Sequence, residues 1–358
     1  MNILIAPILS ALCAVSGDTG SLVLQAEVVH GPDGPIEDGR ILIRDGKIEA
    51  IGAGLELPGD GHLIELEGHL SAGLVAMGDQ TGLKGEALDS TRQIMDGADL
   101  AFGYDKTDDG WGAFLEAGVT AVLLTPKPGA LVGGRTAVVK PAGAMVQRRA
   151  HLHVCFSNAA FKSGVAPTSY PGAISMLEQR METPTGGFAL LGKGLGVLLA
   201  AKTRAEGLRA VAFAKRHGLT GALTGVSRAG DLVDELHDAG LGVILPPIGA
   251  AADPRVAASA AILGKKDIPL AFSLGATNRS PHALRISALR CMKAGLARDA
   301  AWKALTSGAG EIANAPVGSL AVGRAADLVL WSGDPLDLTS QVERVWIEGK
   351  QVHGDDDQ

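Results

Sequence analysis

Gly318–Val352 reads GSLAVGRAADLVLWSGDPLDLTSQVERVWIEGKQV. Its apolar runs, Leu328-Val329-Leu330-Trp331 and Val342–Ile347, flank the bend Gly333-Asp334-Pro335, and Gly349-Lys350 precedes Gln351-Val352-His353. β-Branched and aromatic runs punctuated by Gly, Asp and Pro are the pattern of short strands joined by turns. So few strands cannot bury a core alone, and this block needs partners. The other end of the chain supplies them. Ser21–Val29 is β-rich, and His30-Gly31-Pro32-Asp33-Gly34 is a dense turn signal. IEDGRILIRDGKIEAIGAG, Ile36–Gly54, places two β-branched runs on either side of Asp45-Gly46, a pair that tolerates the positive φ angles of a type I′ hairpin turn. A further strand is expected at His62–Leu66. Residues 18–70 plus 317–358 are therefore predicted to form one composite β-domain.

Between these blocks, residues 71–316 alternate short apolar runs with helical patterns. The expected strands are Leu74–Met77, Ala121–Leu124, Thr136–Lys140, Gly196–Ala200, Gly221–Thr224, Gly242–Leu245 and Ile268–Phe272. The expected helices include Ala205–Arg216, Gly230–Ala239, Pro254–Leu263, Pro281–Ala294 and Ala297–Leu305. This rhythm predicts a parallel sheet with right-handed crossovers, and seven or eight units favour closure into a barrel. Lys84–Asp109 lacks periodicity and reads as a long first βα loop.

The bulk properties fit. With 46% hydrophobic residues and 20% charged ones, the chain has a globular α/β profile. A formal charge of −7 and only two short basic clusters, Gln147-Arg148-Arg149 and Lys265-Lys266, give no nucleic-acid footprint. Three cysteines, Cys13, Cys155 and Cys291, define no disulfide framework. MNILIAPILSALCAVS is an apolar run too short to span a bilayer as a stable helix. It matches the hydrophobic region of a secretory signal ending near residue 17, which predicts export to the periplasm or beyond. The alternative is a buried first strand or helix in a cytoplasmic protein.

The closing stretch Gly318–Val352 and the opening hairpin Ile36–Gly54 together resemble the amidohydrolase superfamily, near its imidazolonepropionase-like branch. Gly118-Val119-Thr120 with Ala121-Val122-Leu123, and Ala304-Leu305-Thr306 with Ala309, fit the same pattern. The resemblance implies an α/β fold: a (β/α)8 TIM-like barrel, residues 71–316, carrying a small β-sandwich made by both chain ends. It also implies a metal hydrolase, in which divalent ions at the C-terminal ends of the strands activate a water against an amide, ester or ring C–N bond.

The ligands that chemistry requires are missing. The family's first strand ends in Pro-Gly-Leu-Ile-Asp and a His-x-His pair; here Ala72–Gln80 puts Gly78 and Gln80 at the imidazole positions. Asp79 lies between them and points to the other face of an alternating strand. A later His position is occupied by Ala200, Leu223-Thr224-Gly225 has no His either, and the aspartate of the last strand is replaced by Gly275. No cofactor is expected, with zinc or another divalent ion only if the site is rearranged. Four residues are candidates for such a rearranged site. His151 and His153 form an HxH pair after Lys140, outside the first strand. Lys140 resembles a lysine that approaches the metal centre in this branch, or pairs with a carboxylate at a strand end. Asp79 is the fourth.

The sequence therefore predicts a pseudoenzyme: an amidohydrolase scaffold kept for binding, or as partner subunit to an active relative or a second copy of itself. The alternative is a hydrolase of non-peptide C–N bonds with a rearranged site. A third possibility is a small-molecule site at the barrel mouth, lined by Asp105–Asp109 and Asn278-Arg279.

Overall fold

The computed structural model describes residues 20–83, 87–89, 91–141, 143–249, 251–275 and 280–354. The leader, Cys13 and Asn278-Arg279 lie outside the described residues. No helix is long and apolar enough to cross a membrane among those described.

Strands β1 (Ser21–Gly31), β2 (Gly34–Arg44), β3 (Lys47–Ala53) and β4 (Gly61–Ala72) come from the start of the chain. The polypeptide then enters β5 (Leu74–Asp79), α1 (Trp111–Glu116), β6 (Val119–Leu124), β7 (Val132–Arg135), β8 (Ala137–Val139), β9 (Met145–Gln147) and β10 (His151–Cys155). From there α2 (Tyr170–Glu182), β11 (Gly196–Ala200), α3 (Arg204–His217), β12 (Gly221–Thr224), α4 (Val233–Ala239), β13 (Gly242–Leu245), α5 (Pro254–Gly264) and β14 (Leu270–Phe272) alternate. Helices α6 (Ala283–Lys293), α7 (Arg298–Leu305) and α8 (Ser307–Ile312) lead back to β15 (Leu328–Trp331), β16 (Val342–Ile347) and β17 (Lys350–His353).

Both ends of the chain meet in one seven-stranded sheet, ordered β17-β16-β15-β4-β1-β2-β3. The hairpin at Asp45-Gly46 has φ of 51° and 72° at its two central residues, as a type I′ turn requires. A sandwich of two sheets was the expectation; the strands instead form a single sheet that curls back on itself. The Ile48 N–H donates to the Arg324 carbonyl, and the Ala326 N–H to Gly46, tying the hairpin to the approach to β15. Leu24, Ile41, Leu70 and Trp346 fill the concave side.

The middle of the chain forms two sheets, β14-β13-β12-β11-β10-β7 and β5-β6-β8-β9. They are joined at both flanks. Strands β7 and β8 follow one another through Thr136, and the Leu274 N–H beyond β14 donates to Met77 of β5 at 2.9 Å. Alternation decides which face each residue takes. Val75, Met77, Leu198, Ala222, Ile244 and Ala271 share one apolar cluster inside these strands. Their neighbours Leu74, Ala76, Val197, Leu199, Leu223, Val243, Leu270 and Phe272 point the other way, into the larger core against the helices.

One stretch runs against expectation. Thr136–Lys140 reads as a strand of a parallel sheet, yet β8 is antiparallel to β6 and β7 is antiparallel to β10. The chain descends through β7-β8, turns, and rises again through β9-β10. The residues after Arg149 are thus a strand, parallel to β11. The reversal carries Lys140 toward the end of the strands opposite to the one where a parallel strand would deliver it, because the ladder runs from Ala137 opposite Leu124 to Val139 opposite Val122, back toward the start of β6.

Helices α3 and α5 start where local side chains satisfy their first N–H groups. Thr203 and Glu206 form a reciprocal capping box on α3. Asp253 caps α5, with Pro254 in its first turn, where a missing N–H is harmless.

Candidate functional site

A cavity of about 470 Å³ opens at the C-terminal ends of the parallel strands. Gly78 comes from the end of β5, Thr125 from just after β6, His153 from β10, Ala200 from β11, Thr224 from β12, and Ser273 and Gly275 from beyond β14. Gly78, Ala200 and Gly275 thus converge on one space, although nearly two hundred residues separate the first from the last. Pro126, Pro128, Pro246 and Pro247 supply rigid apolar wall, and Lys202 stands exposed at the rim.

The five other positions that the sequence named, Gln80, Asp79, Lys140, His151 and His153, separate. Gln80 does not line the cavity; its Nε2 donates to the Thr125 carbonyl at 3.2 Å. Asp79 is buried, and its Oδ1 accepts the Thr81 N–H at 2.6 Å, bracing the turn after β5. Lys140 lies far from the cavity, its Nζ 2.9 Å from Asp327 Oδ1 and 2.9 Å from Glu348 Oε1. That ammonium clamps the reversed strand to the seven-stranded sheet. Burial pushes the Asp327 carboxyl up, against the pull of the lysine.

His151 and His153 are both buried on β10 and both face inward, because Leu152 and Val154 between and after them pack outward against the helices. They do not act as a pair. His151 shares a cavity at the other end of the strands with Gly196, Gly221 and Asn314. Its Nδ1 is 3.2 Å from Thr136 Oγ1, and its ring also bonds the Ile312 backbone. His153 lines the strand-end cavity, and its Nδ1 has no hydrogen-bond partner. Burial lowers both imidazoles to about 4, so both are neutral at pH 7.

His153 is the one residue of the cavity with metal-ligand chemistry whose position the sequence offered and whose role it did not. The signal was the alternation in His151-Leu152-His153-Val154-Cys155, the same two-residue period as Val75 and Met77.

Nearby groups are committed elsewhere. Glu206, buried beneath the rim, accepts the N–H groups of Lys202, Thr203 and Asn158 and the Tyr170 hydroxyl. Burial pushes its carboxyl up, but these hydrogen bonds outweigh that and hold it below the usual range. The Cys155 thiol is pushed up by burial and lies 3.2 Å from Ser157 Oγ. It is a protonated small hydrophobe, not a nucleophile.

A divalent ion needs several imidazoles or carboxylates converging on one point. Among the described residues no carboxylate lines this cavity and His153 is its single imidazole. Among the described residues no group of three His, Cys, Asp or Glu side chains is placed to hold an ion. The backbone at two of the expected ligand positions also disfavours any side chain. Gly78 and Gly275 have φ of +71° and +81°, which side chains rarely adopt. A Cβ at Gly78 would lie 2.8 Å from Ser273 Oγ. The residues present do not fit the metal centre that the scaffold resemblance implies.

No family model matches the sequence, and no curated protein matches it. Solved structures do. An amidohydrolase from Thermotoga maritima MSB8 is similar at 21% identity, with a TM-score of 0.79 over 93% of this chain and 100% of that one. A Xaa-Pro dipeptidase with bound methionine in the active site is 14% identical, with a TM-score of 0.62 over 94% and 100%. The β-aspartyl dipeptidase of Fervidobacterium islandicum AW-1, in complex with a β-Asp-Leu dipeptide, is 13% identical, with a TM-score of 0.62 over 94% and 97%. The chain therefore has a mixed α/β fold similar to that of these solved structures. At these identities the likeness is one of fold, and function has to be argued from the site.

Proposed function

We propose that this chain is an amidohydrolase-fold protein that has given up metal-dependent hydrolysis and uses the strand-end cavity to bind a small molecule. One observation carries the reading. Three positions where the scaffold resemblance places ligands line a single cavity as Gly78, Ala200 and Gly275, so the site is assembled but its donors are gone. Its size falls within the range of small-molecule pockets, and its walls are mostly apolar with a few polar groups, as such pockets are.

The joined strands around it read as a (β/α)8-like barrel in which the segment β7-β8 is the one reversed strand. The curled sheet of residues 18–70 and 317–358 reads as its accessory domain. Export directed by residues 1–17, and pairing with a second copy or an active relative, complete the proposal.

The test is turnover. Protein loaded with Zn²⁺ or Mn²⁺ and then desalted is assayed against amides, dipeptides and cyclic imides, with and without chelator. The expected result is no metal-dependent hydrolysis. Turnover that needs the ion and stops with chelator would overturn the reading.

A second reading keeps hydrolysis without a metal. It is favoured by His153, a neutral imidazole facing the cavity. It lacks a carboxylate to orient the ring, and no activated nucleophile stands beside it. Chelator-resistant turnover lost in H153N would establish it.

A further inference from the structure

The charges and hydrogen-bonding groups of the cavity are one-sided. Lys202 at the rim has no ion-pair partner among the described residues, and no carboxylate lines the space. The Glu206 carboxylate beneath the rim does not line the space and is taken up by backbone N–H groups and the Tyr170 hydroxyl. A cationic ligand would therefore touch no carboxylate, whereas an anionic one would meet an ammonium.

His153 adds a second constraint from deeper in. Its Nδ1 lies against Gly133, where an added Cβ would be 2.9 Å away and would also touch Pro126. That edge is closed to ligands and has no donor or acceptor facing it. A buried N–H without an acceptor is less tolerable than a lone pair without a donor. The proton therefore belongs on Nε2, the nitrogen left to face the cavity. Ser273 Oγ, on the opposite side, accepts the Gly275 N–H at 2.8 Å, which leaves its own hydrogen free to donate. The inner groups thus present donors, as the rim does.

Depth sets the spacing. His153 pairs with Leu198 in the strand ladder, and Lys202 comes four residues later. At the rise of an extended chain four residues span no more than about 13 Å, and the bend at Lys202, beyond the end of β11, makes the separation shorter.

We propose that the cavity binds a small aliphatic carboxylate that carries a second oxygen acceptor toward its far end. The carboxylate lies at Lys202, the apolar body runs along Pro126, Pro246 and Pro247, and the inner acceptor receives the Nε2 proton of His153. This rests on the cavity being a binding site, and specifies the chemistry of its ligand.

The experiment is calorimetric titration of the full chain with four probes sharing one body: 6-oxoheptanoate, heptanoate, 2-heptanone and heptylamine. The expected order places 6-oxoheptanoate first, heptanoate about fivefold weaker for the missing hydrogen bond, and heptylamine at least tenfold weaker than heptanoate. K202M should erase the preference for acid over amine, and H153N should erase the advantage of the oxo group. Melting curves of both variants confirm that each is folded. Equal affinity for acid and amine would overturn the proposal, as would an oxo advantage that survives H153N, or no binding of any probe at 10 mM concentrations. None of these outcomes depends on metal-dependent turnover, so failure here is separable from failure of the functional reading.

Discussion

Lys140→Met isolates the residue for which the sequence offered either an approach to a metal centre or a carboxylate partner, and which the structure places in a clamp. The pair with Asp327 is buried, with side-chain exposures of 3% and 5%. Removing the ammonium leaves a carboxylate in a desolvated position with the Glu348 N–H, at 3.0 Å, as its remaining partner. Breaking a buried pair on one side costs about 3–5 kcal/mol. The second contact, to a Glu348 that is 51% exposed, adds no more than about 1 kcal/mol. A chain of 358 residues has an unfolding entropy of about 0.75 kcal/mol/K. The melting temperature, read by circular dichroism at pH 7.5, should therefore fall by about 4–8 °C. The double variant Lys140→Met/Asp327→Leu should recover most of that, because it removes the stranded charge along with its partner. Binding of a cavity ligand at a temperature where all variants are folded should not change. A melting temperature within 1 °C of the parent, or lost ligand binding with unchanged stability, would refute the assignment.

Acid should destabilise the protein through His151 and His153. Both imidazoles are lowered by burial to about 4 from 6.5, so between those values the unfolded chain binds protons that the folded one does not. Stability is then fully present above pH 6.5 and falls toward pH 4, by about 3 kcal/mol for each group over the whole window. Urea midpoints from pH 7.5 to 5 should decline, and a flat or rising profile would contradict the burial argument. Gly78→Ala should cost about 1–3 kcal/mol, since a side chain there combines a φ of +71° with a close approach to Ser273; Gly78→Ala/Ser273→Ala should relieve the contact and not the dihedral, recovering only part of the loss in a urea titration. Glu206→Ala strips α3 and the Asn158 turn of one shared acceptor. A loss of about 2–4 kcal/mol is expected by chemical denaturation, and a change below 0.5 kcal/mol would show that water replaces the carboxylate.

Much of this architecture was legible because local and tertiary signals agreed. Asp45-Gly46 announces its hairpin by turn chemistry alone, and Leu328–Trp331 and Val342–Ile347 are strands in any context. Helices α3, α5 and α7 lie within a residue or so of their sequence boundaries. What was not legible depended on direction and on depth. An apolar run such as Ala137-Val138-Val139 says strand and not which way it runs, so the reversal of β8, and with it the fate of Lys140, is invisible before the pairing is known. The strand β10 was missed because His151 and His153 look polar, although their ladder neighbours bury them completely. Helix α8 hides behind Gly308 and Gly310, residues that disfavour a helix until packing compensates. The cavity was half legible. Its empty ligand positions, Gly78, Ala200 and Gly275, followed from the family resemblance, whereas the convergence of His153 and Lys202 on the same space is a property of how the strands pair.

Metal content tests the central claim most directly. The protein is expressed with zinc and manganese supplied, purified without chelator, dialysed, and measured by elemental analysis beside a Zn²⁺ titration. A cavity with one imidazole and no carboxylate predicts less than about a tenth of an equivalent bound, with no titration step tighter than about millimolar. Near one equivalent of ion that survives dialysis and is lost in H153N would contradict the account, and would mean that the strand-end cavity still assembles a metal centre.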